Sequence, residues 1–396
     1  MVRSRWSLIV AFALMGAATQ VLWVTFAAVT DDAHTHYGVS KNAIGWLANV
    51  FPLFYVLLAI PAGIVLDRWF RGGLAVGAVL TAVGALLRLT GDSYGWVLFG
   101  QVVISLGQPL VLNAITGVTT RYLAEKDRPT GIAIGSASTF AGLVIGFGLG
   151  AALSHPNRMH LLVVIGAVLA VASAIVLLLA LRAPASFEVA LAPAGIGAFR
   201  VAWADPFIRR LCAVVFVPFG IFVTLSTFAQ TLLKPAGVSD STAGVILICN
   251  VVAGVIGCAT VPVWATRRRR EMTVLFASLF VTTTACAVLA AAAGVVTGFI
   301  AIAAIGFVLL PALPIVLEMT ERRSGEVGGT ATGLMWMAGN LGGLVVATVV
   351  GVIVDHPVPA FALLAVLTVL ALPLVRRFGR YAFATPGDPA PAAPAG

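Results

Sequence analysis

Residues 61–74 read PAGIVLDRWFRGGL and place one acid and two arginines, Asp67, Arg68 and Arg71, between two long apolar runs. Charge is expensive inside a hydrocarbon core and stable at its edge, so the cluster marks where one membrane-crossing helix ends and the next begins. A charge cluster at a helix end, with a small residue (Gly63) four positions before the acid, suits a gate better than a catalytic centre.

The rest of the chain supplies the membrane frame. Its 396 residues are 60% hydrophobic and only 10% charged, with a mean hydropathy of +1.05, too little charge to cover a soluble protein of this size. Apolar runs long enough to cross a core of ~30 Å as helices recur along it. Twelve are read, at 6–29, 43–66, 72–90, 95–120, 130–153, 160–181, 210–233, 241–265, 272–293, 295–318, 327–354 and 358–376, the ninth and tenth being separated only by Ala293 and Gly294. The expectation is an all-α, multi-pass membrane protein with 12 transmembrane helices.

Arginine placement orients it. With the N-terminus, the even-to-odd connections and the C-terminus on one side, that side holds 20 of the 24 basic residues and leaves Lys41, Arg88, Arg158 and Lys234 for the other. The positive-inside rule then makes both termini cytoplasmic. The +9 charge reflects topology, so no nucleic-acid partner is expected. No cleavable signal is read, because the first apolar run is too long and no A-x-A site follows it. Cys212, Cys249, Cys258 and Cys286 all fall within spans and are expected as reduced thiols. Abundant arginine, alanine, glycine and valine with little lysine point to a high-GC bacterium, hence the inner membrane.

The longest interior connection carries Pro184, Pro193 and Pro206. It divides the chain into an N-terminal six-helix half (1–182), a cytoplasmic linker (183–209), a C-terminal six-helix half (210–383) and a Pro/Ala-rich, disordered cytoplasmic tail (384–396). A displacement of 202 positions superposes Pro109 on Pro311, Arg121 on Arg323, Thr130 on Thr332 and Gly131 on Gly333. Two repeated halves with the solute site at their interface are a design of secondary transporters.

GIVLDRWFR resembles the loop 2–3 signature of the major facilitator superfamily, roughly G-x-L-a-D-r-x-G-r. Gly63, Asp67, Arg68 and Arg71 match it, and Phe70 stands where the family usually has glycine. The resemblance implies the major facilitator fold and alternating access, and says nothing of cargo. Asp67 at its helix end can accept charge-assisted hydrogen bonds from nearby arginines or from a helix N-terminus in the other half. Arg121 is the candidate partner, and Glu125 and Arg128 add to the cluster. The second half has no copy of the acid, since the offset sets Arg269 opposite Asp67, so the gate should be asymmetric.

Span interiors hold almost no charge. In this superfamily, proton-coupled carriers commonly need a membrane-embedded carboxylate, and the fifth span (FAGLVIGFGLG, 140–150) lacks the Gly-Pro pair of drug/proton antiporters. Candidate solute-binding residues are the buried polar and aromatic groups Gln20, Trp23, Gln108, Asn113, Thr224, Thr227, Trp336 and Asn340, each of which could instead serve as an interhelical hydrogen-bond partner. Such a lining suits an uncharged polar solute, or an organic cation held over a tryptophan face.

The segments WVTFAAVT (23–30), IGWLANVFPLFYVLLAIPAGIVLD (44–67) and GQVVISLGQPLVLN (100–113) are similar to the feline leukaemia virus subgroup C receptor family of choline, ethanolamine and haem-associated transporters. That similarity implies a cation-stacking role for Trp23 and a solute contact for Gln108, with Asn340 in place of an eleventh-span glutamine. Phe222 and Val223 occupy the place of its seventh-span tyrosine. AGNLGG (338–343) resembles a nitrate/nitrite carrier signature, but the core arginines needed to hold an oxyanion are missing. Asp31, Asp32, His34 and His36 form the nearest approach to a metal cluster and are placed on an external loop without helical spacing. With no nucleophile–base pair and no phosphate loop, neither an enzyme nor an ATP-driven pump is expected. The reading is a monomeric transporter of a small polar or cationic organic solute, without cofactor or metal, partnered by solute and lipid bilayer. The alternative is a proton-coupled exporter of hydrophobic drugs or metabolites.

Overall fold

A backbone surrounded by lipid must satisfy its own hydrogen bonds, and for apolar runs of this length the helix does so. In a computed structural model, which describes residues 4–26, 29–153, 155–187, 196–324 and 327–378, twelve helices among the described residues are long and apolar enough to cross a membrane. The turn between the ninth, Glu271–Ala292, and the tenth, which starts at Val295, falls at Ala293 and Gly294, both extended.

The fourth and tenth spans are each broken rather than continuous. Tyr94–Leu112 is followed by Ile115–Tyr122, and Val295–Leu309 by Ala312–Ser324. In the tenth the cause is Pro311, which has no N–H for the carbonyl four residues back. The helices of the two halves keep a common register. Phe70–Leu87 and Glu271–Ala292, Tyr94–Leu112 and Val295–Leu309, Arg128–Ala152 and Gly328–Val352 begin 200 or 201 positions apart.

The chain packs as two compact units. One contains everything up to Ala202 together with Leu317–Met337. The other contains Trp203–Val316 and the segment from Ala338 onward. In the first, the third and fourth spans lie along each other, as do the first and fifth; in the second, the eighth and tenth pair, as do the ninth and twelfth. Cys212, Cys258 and Cys286 are buried free thiols and Cys249 is half-buried.

Two expectations are corrected. The loop proposed for residues 31–36 is a short helix, Thr30–Tyr37, closed by Gly38 at φ 64°, whose N–H bonds the His34 carbonyl. The linker contains a helix, Ile196–Ala204; its residues 188–195 and the tail 384–396 lie outside the described residues. Arg88 stands at the end of the third span, as expected, and is buried there, 2% exposed.

Candidate gate and solute-facing residues

The second span, Lys41–Arg68, ends with Asp67 on its inward face, 5% exposed. The first turn of Gly328–Val352 reaches that carboxylate. Gly329 N–H donates to Oδ1 at 2.5 Å, Thr330 N–H to Oδ2 at 2.8 Å, and the Thr330 hydroxyl to Oδ2 at 2.5 Å. These N–H groups have no partners within their own helix, and the helix dipole favours an anion there, so the acid completes the helix N-terminus. Gly63 makes the approach possible. A Cβ on it would stand 2.6 Å from the Gly329 carbonyl oxygen and from the Thr330 Cα, both backbone atoms that cannot swing aside.

The arginines are arranged differently from the expected cluster. Arg121, proposed as the acid's partner, interacts with it through charge and lies over the Phe70 ring, its guanidinium carbon 4.4 Å from the centroid. Phe70, the departure from the family glycine, is thereby a buried cation–π platform. Arg71 donates to the Leu181 carbonyl, and Arg68 and Glu125 are exposed. Arg128 pairs with Glu321 at 2.9 Å, a second tie from the first half to the Leu317–Met337 segment; the Glu321 side chain is 6% exposed.

Trp23 is held by the second span. Pro52 in the second span removes the N–H that would bond the Ala48 carbonyl, and the Trp23 indole N–H takes that carbonyl at 3.1 Å. The indole is thereby fixed at its edge, half-buried, with Phe51 6.4 Å away centroid to centroid. Gln20 and Gln108 are 5% and 3% exposed, and neither carboxamide has a hydrogen-bond partner among the described residues.

Asn113 is committed elsewhere. Its Oδ1 accepts from the Tyr55 hydroxyl at 2.6 Å and its Nδ2 donates to the Ala59 carbonyl at 2.8 Å, joining the fourth span to the second. Tyr55 in turn lies 5.9 Å from the Trp336 ring, so Asn113, Tyr55 and Trp336 form one group. Thr224 and Thr227 donate to carbonyls four residues back in their own helix, at 2.7 and 2.8 Å, and Asn340 is half-buried in the other unit.

Sequence reasoning offered a helix N-terminus as a partner for Asp67 without identifying Gly329 and Thr330, and missed Tyr55 and the Arg88–Gln101 pair. The signals available were Pro52, which frees a carbonyl, and the Gly328-Gly329-Thr330 opening of a helix. Arg88 Nη1 donates to Gln101 Oε1 at 3.2 Å, while Gln101 Nε2 donates to the Leu22 and Leu47 carbonyls at 3.3 and 2.9 Å. One buried amide thus ties four spans together. Among the described residues, no group of three metal-ligating side chains converges, and His36 pairs with Asp92 at 2.8 Å.

Repeated six-span halves, broken fourth and tenth helices and an acid capping a distant helix define a polytopic solute-carrier architecture. The Major Facilitator Superfamily profile matches residues 8–347, and the chain belongs to that superfamily. It is 24% identical to Solute carrier family 49 member A3 of Danio rerio over 366 residues, 86% of this chain and 76% of that protein. It is 25% identical to Choline/ethanolamine transporter flvcr2a of Danio rerio over 386 residues, 89% and 81% of the two. The solved human organic anion transporter MFSD10 (TETRAN) matches with a TM-score of 0.77 at 14% identity, covering 93% of this chain and 99% of that one, a likeness of fold alone. The chain is a multi-pass membrane protein of a transporter family, and its similarity to flvcr2a extends over most of its length.

Proposed function

We propose that this protein carries a small polar or cationic organic solute across the membrane by alternating access, with an alkylammonium of the choline or ethanolamine kind as the leading class. One observation carries the reading. Trp23 is pinned through its indole N–H to Ala48, which leaves a fixed aromatic face one turn from Gln20 on the same helix; Gln20 and, on the fourth span, Gln108 are buried carboxamides with no hydrogen-bond partner among the described residues. An aromatic face attracts a cation, and free carboxamides suit a hydroxyl or an ammonium N–H. The flvcr2a name supports the same class.

The Asp67 contact with Gly329 and Thr330 is the closed form of the gate at the end where the second span meets the third. It opens when that helix N-terminus leaves the carboxylate. The arginine distribution supports placing this end, and both termini, in the cytoplasm. The arginine-rich, lysine-poor composition supports a bacterial inner membrane. A second reading, proton-coupled export, draws on Glu318, a carboxylate 2% exposed near the end of the tenth span.

Uptake of labelled choline and ethanolamine into proteoliposomes, with and without a proton gradient, tests both. Facilitated uptake without a gradient is expected, and Trp23→Ala should weaken solute affinity about tenfold, the worth of a desolvated cation–π contact. Uptake that collapses without the gradient favours the exporter, and unchanged affinity in Trp23→Ala removes the tryptophan from the site.

A further inference from the structure

Around the gate loop lies an open cavity of about 590 Å³. Its wall carries four arginines, Arg68, Arg71, Arg121 and Arg182, against a single acid, Asp67. That acid is engaged by Gly329 and Thr330 and its charge also acts on Arg121, so one acid offsets at most one of the four arginines. Arg68 and Arg182 are exposed and have no partner among the described residues, and Arg71 gives one of its five N–H groups to the Leu181 carbonyl. The cavity therefore concentrates uncompensated positive charge in planar forks, a geometry matched to phosphate oxygens.

The opposite wall selects among phosphates. Ala75, five residues into the third span, and Leu178, two residues before the end of the sixth, add apolar lining, together with Trp69, 62% exposed. The site thus joins guanidinium groups at the span ends to aliphatic surface that begins within the spans, with an aromatic of the kind that favours membrane interfaces. A soluble phosphate would leave the apolar wall wet.

We propose that this cavity binds the headgroup of an anionic phospholipid, with the phosphodiester among Arg71, Arg121 and Arg182 and the acyl chains descending along Ala75 and Leu178. A bound lipid holds Arg121 on Phe70, and through it the loop that carries Asp67, so the anionic lipid content of the membrane stabilises the closed gate. The binding claim is independent of which solute is carried.

Native mass spectrometry of the full-length protein in detergent, titrated with phosphatidylglycerol or with phosphatidylcholine of the same chains, tests it. Phosphatidylglycerol should be retained preferentially, and Arg71→Gln with Arg182→Gln should weaken its binding about thirtyfold, from two lost arginine–headgroup attractions. Arg267→Gln with Arg268→Gln, which removes equal charge from another loop, should leave binding unchanged. Ala75→Phe fills the apolar wall without altering charge and should also expel the lipid, which keeps the test decisive if the double arginine variant fails to fold. Equal retention of the two lipids, or undiminished phosphatidylglycerol binding by Ala75→Phe or by a folded double arginine variant, overturns the proposal. Displacement of phosphatidylglycerol by inorganic phosphate at equal concentration overturns the lipid assignment in favour of a soluble phosphate.

Discussion

Set side by side at the 202-residue offset, the two halves share a frame and differ in chemistry. Gln20, Trp23, Arg88, Gln101, Gln108 and Asn113 of the first half correspond to Phe222, Leu225, Ala290, Ala303, Leu310 and Ile315 of the second. Gly63 corresponds to Ala265, and Asp67 to Arg269. Arg269 sits in the turn after Asp240–Arg267 at φ 51°, a left-handed arginine where the first half has a buried, triply bonded acid. The second half has polar groups of its own, but at other places: Trp336 and Asn340 correspond to Ile134 and Ser138. The helical register needs only apolar faces and well-placed breaks, so it survives while the side chains diverge. Recognition and locking can then be concentrated in one copy.

The comparison breaks first at Asp67. Charge-assisted hydrogen bonds contribute about 1.5–3 kcal/mol each, so Asp67→Asn should lower proteoliposome transport at least about tenfold while solute affinity moves less than about twofold. Arg269→Asn should change neither. Equal behaviour of the two variants would mean that both loops serve only topology.

Gly63→Ala is next. The new methyl meets backbone on the Gly329–Thr330 side, and overpacking of that kind costs about 1–3 kcal/mol, so thermal stability and transport should fall together. Ala265→Gly should cost only about 0.5–1 kcal/mol through helix entropy. A larger loss at Ala265 than at Gly63 would reverse the assignment of close packing to the first half.

The smallest effect sharpens the contrast within the first unit. Gln101→Leu leaves the buried Arg88 without its amide partner and should lower stability by about 1–3 kcal/mol, read as a drop in Tm. Arg88→Met combined with Gln101→Leu should recover part of that loss, because removing both members of a buried polar pair costs less than removing one. No recovery would show that Gln101 acts through the Leu22 and Leu47 carbonyls alone.

Much of this was legible in the chain itself. Hydropathy located the twelve spans, Ala293-Gly294 the turn between the ninth and tenth, and the 61–74 stretch the charged turn between the second and third. The receptor of Asp67 was only partly legible. A helix N-terminus was one of two expected partners, but main-chain N–H groups 262 and 263 positions away leave no mark on residue identity. Arg88 was placed at its span end, but its burial there was not legible. Its burial depends on the rotation of the third helix and on an amide in the fourth. Asn113 reads as a solute ligand until Tyr55, on another span, is brought to it. The helix at 30–37 is too short and too polar for periodicity to distinguish it from a loop.

One feature of the gate bears on how such a protein can drift. Two of the three donors to Asp67 belong to the main chain. No exchange of side chains short of proline can delete them, so the keyhole persists through neutral change at 329 and 330 as far as space beside Gly63 permits. The key enjoys no such freedom: Asn carries no charge and Glu is one methylene too long. Mutational tolerance should therefore be lopsided across the contact, with position 67 intolerant on chemical grounds and position 329 limited only by size.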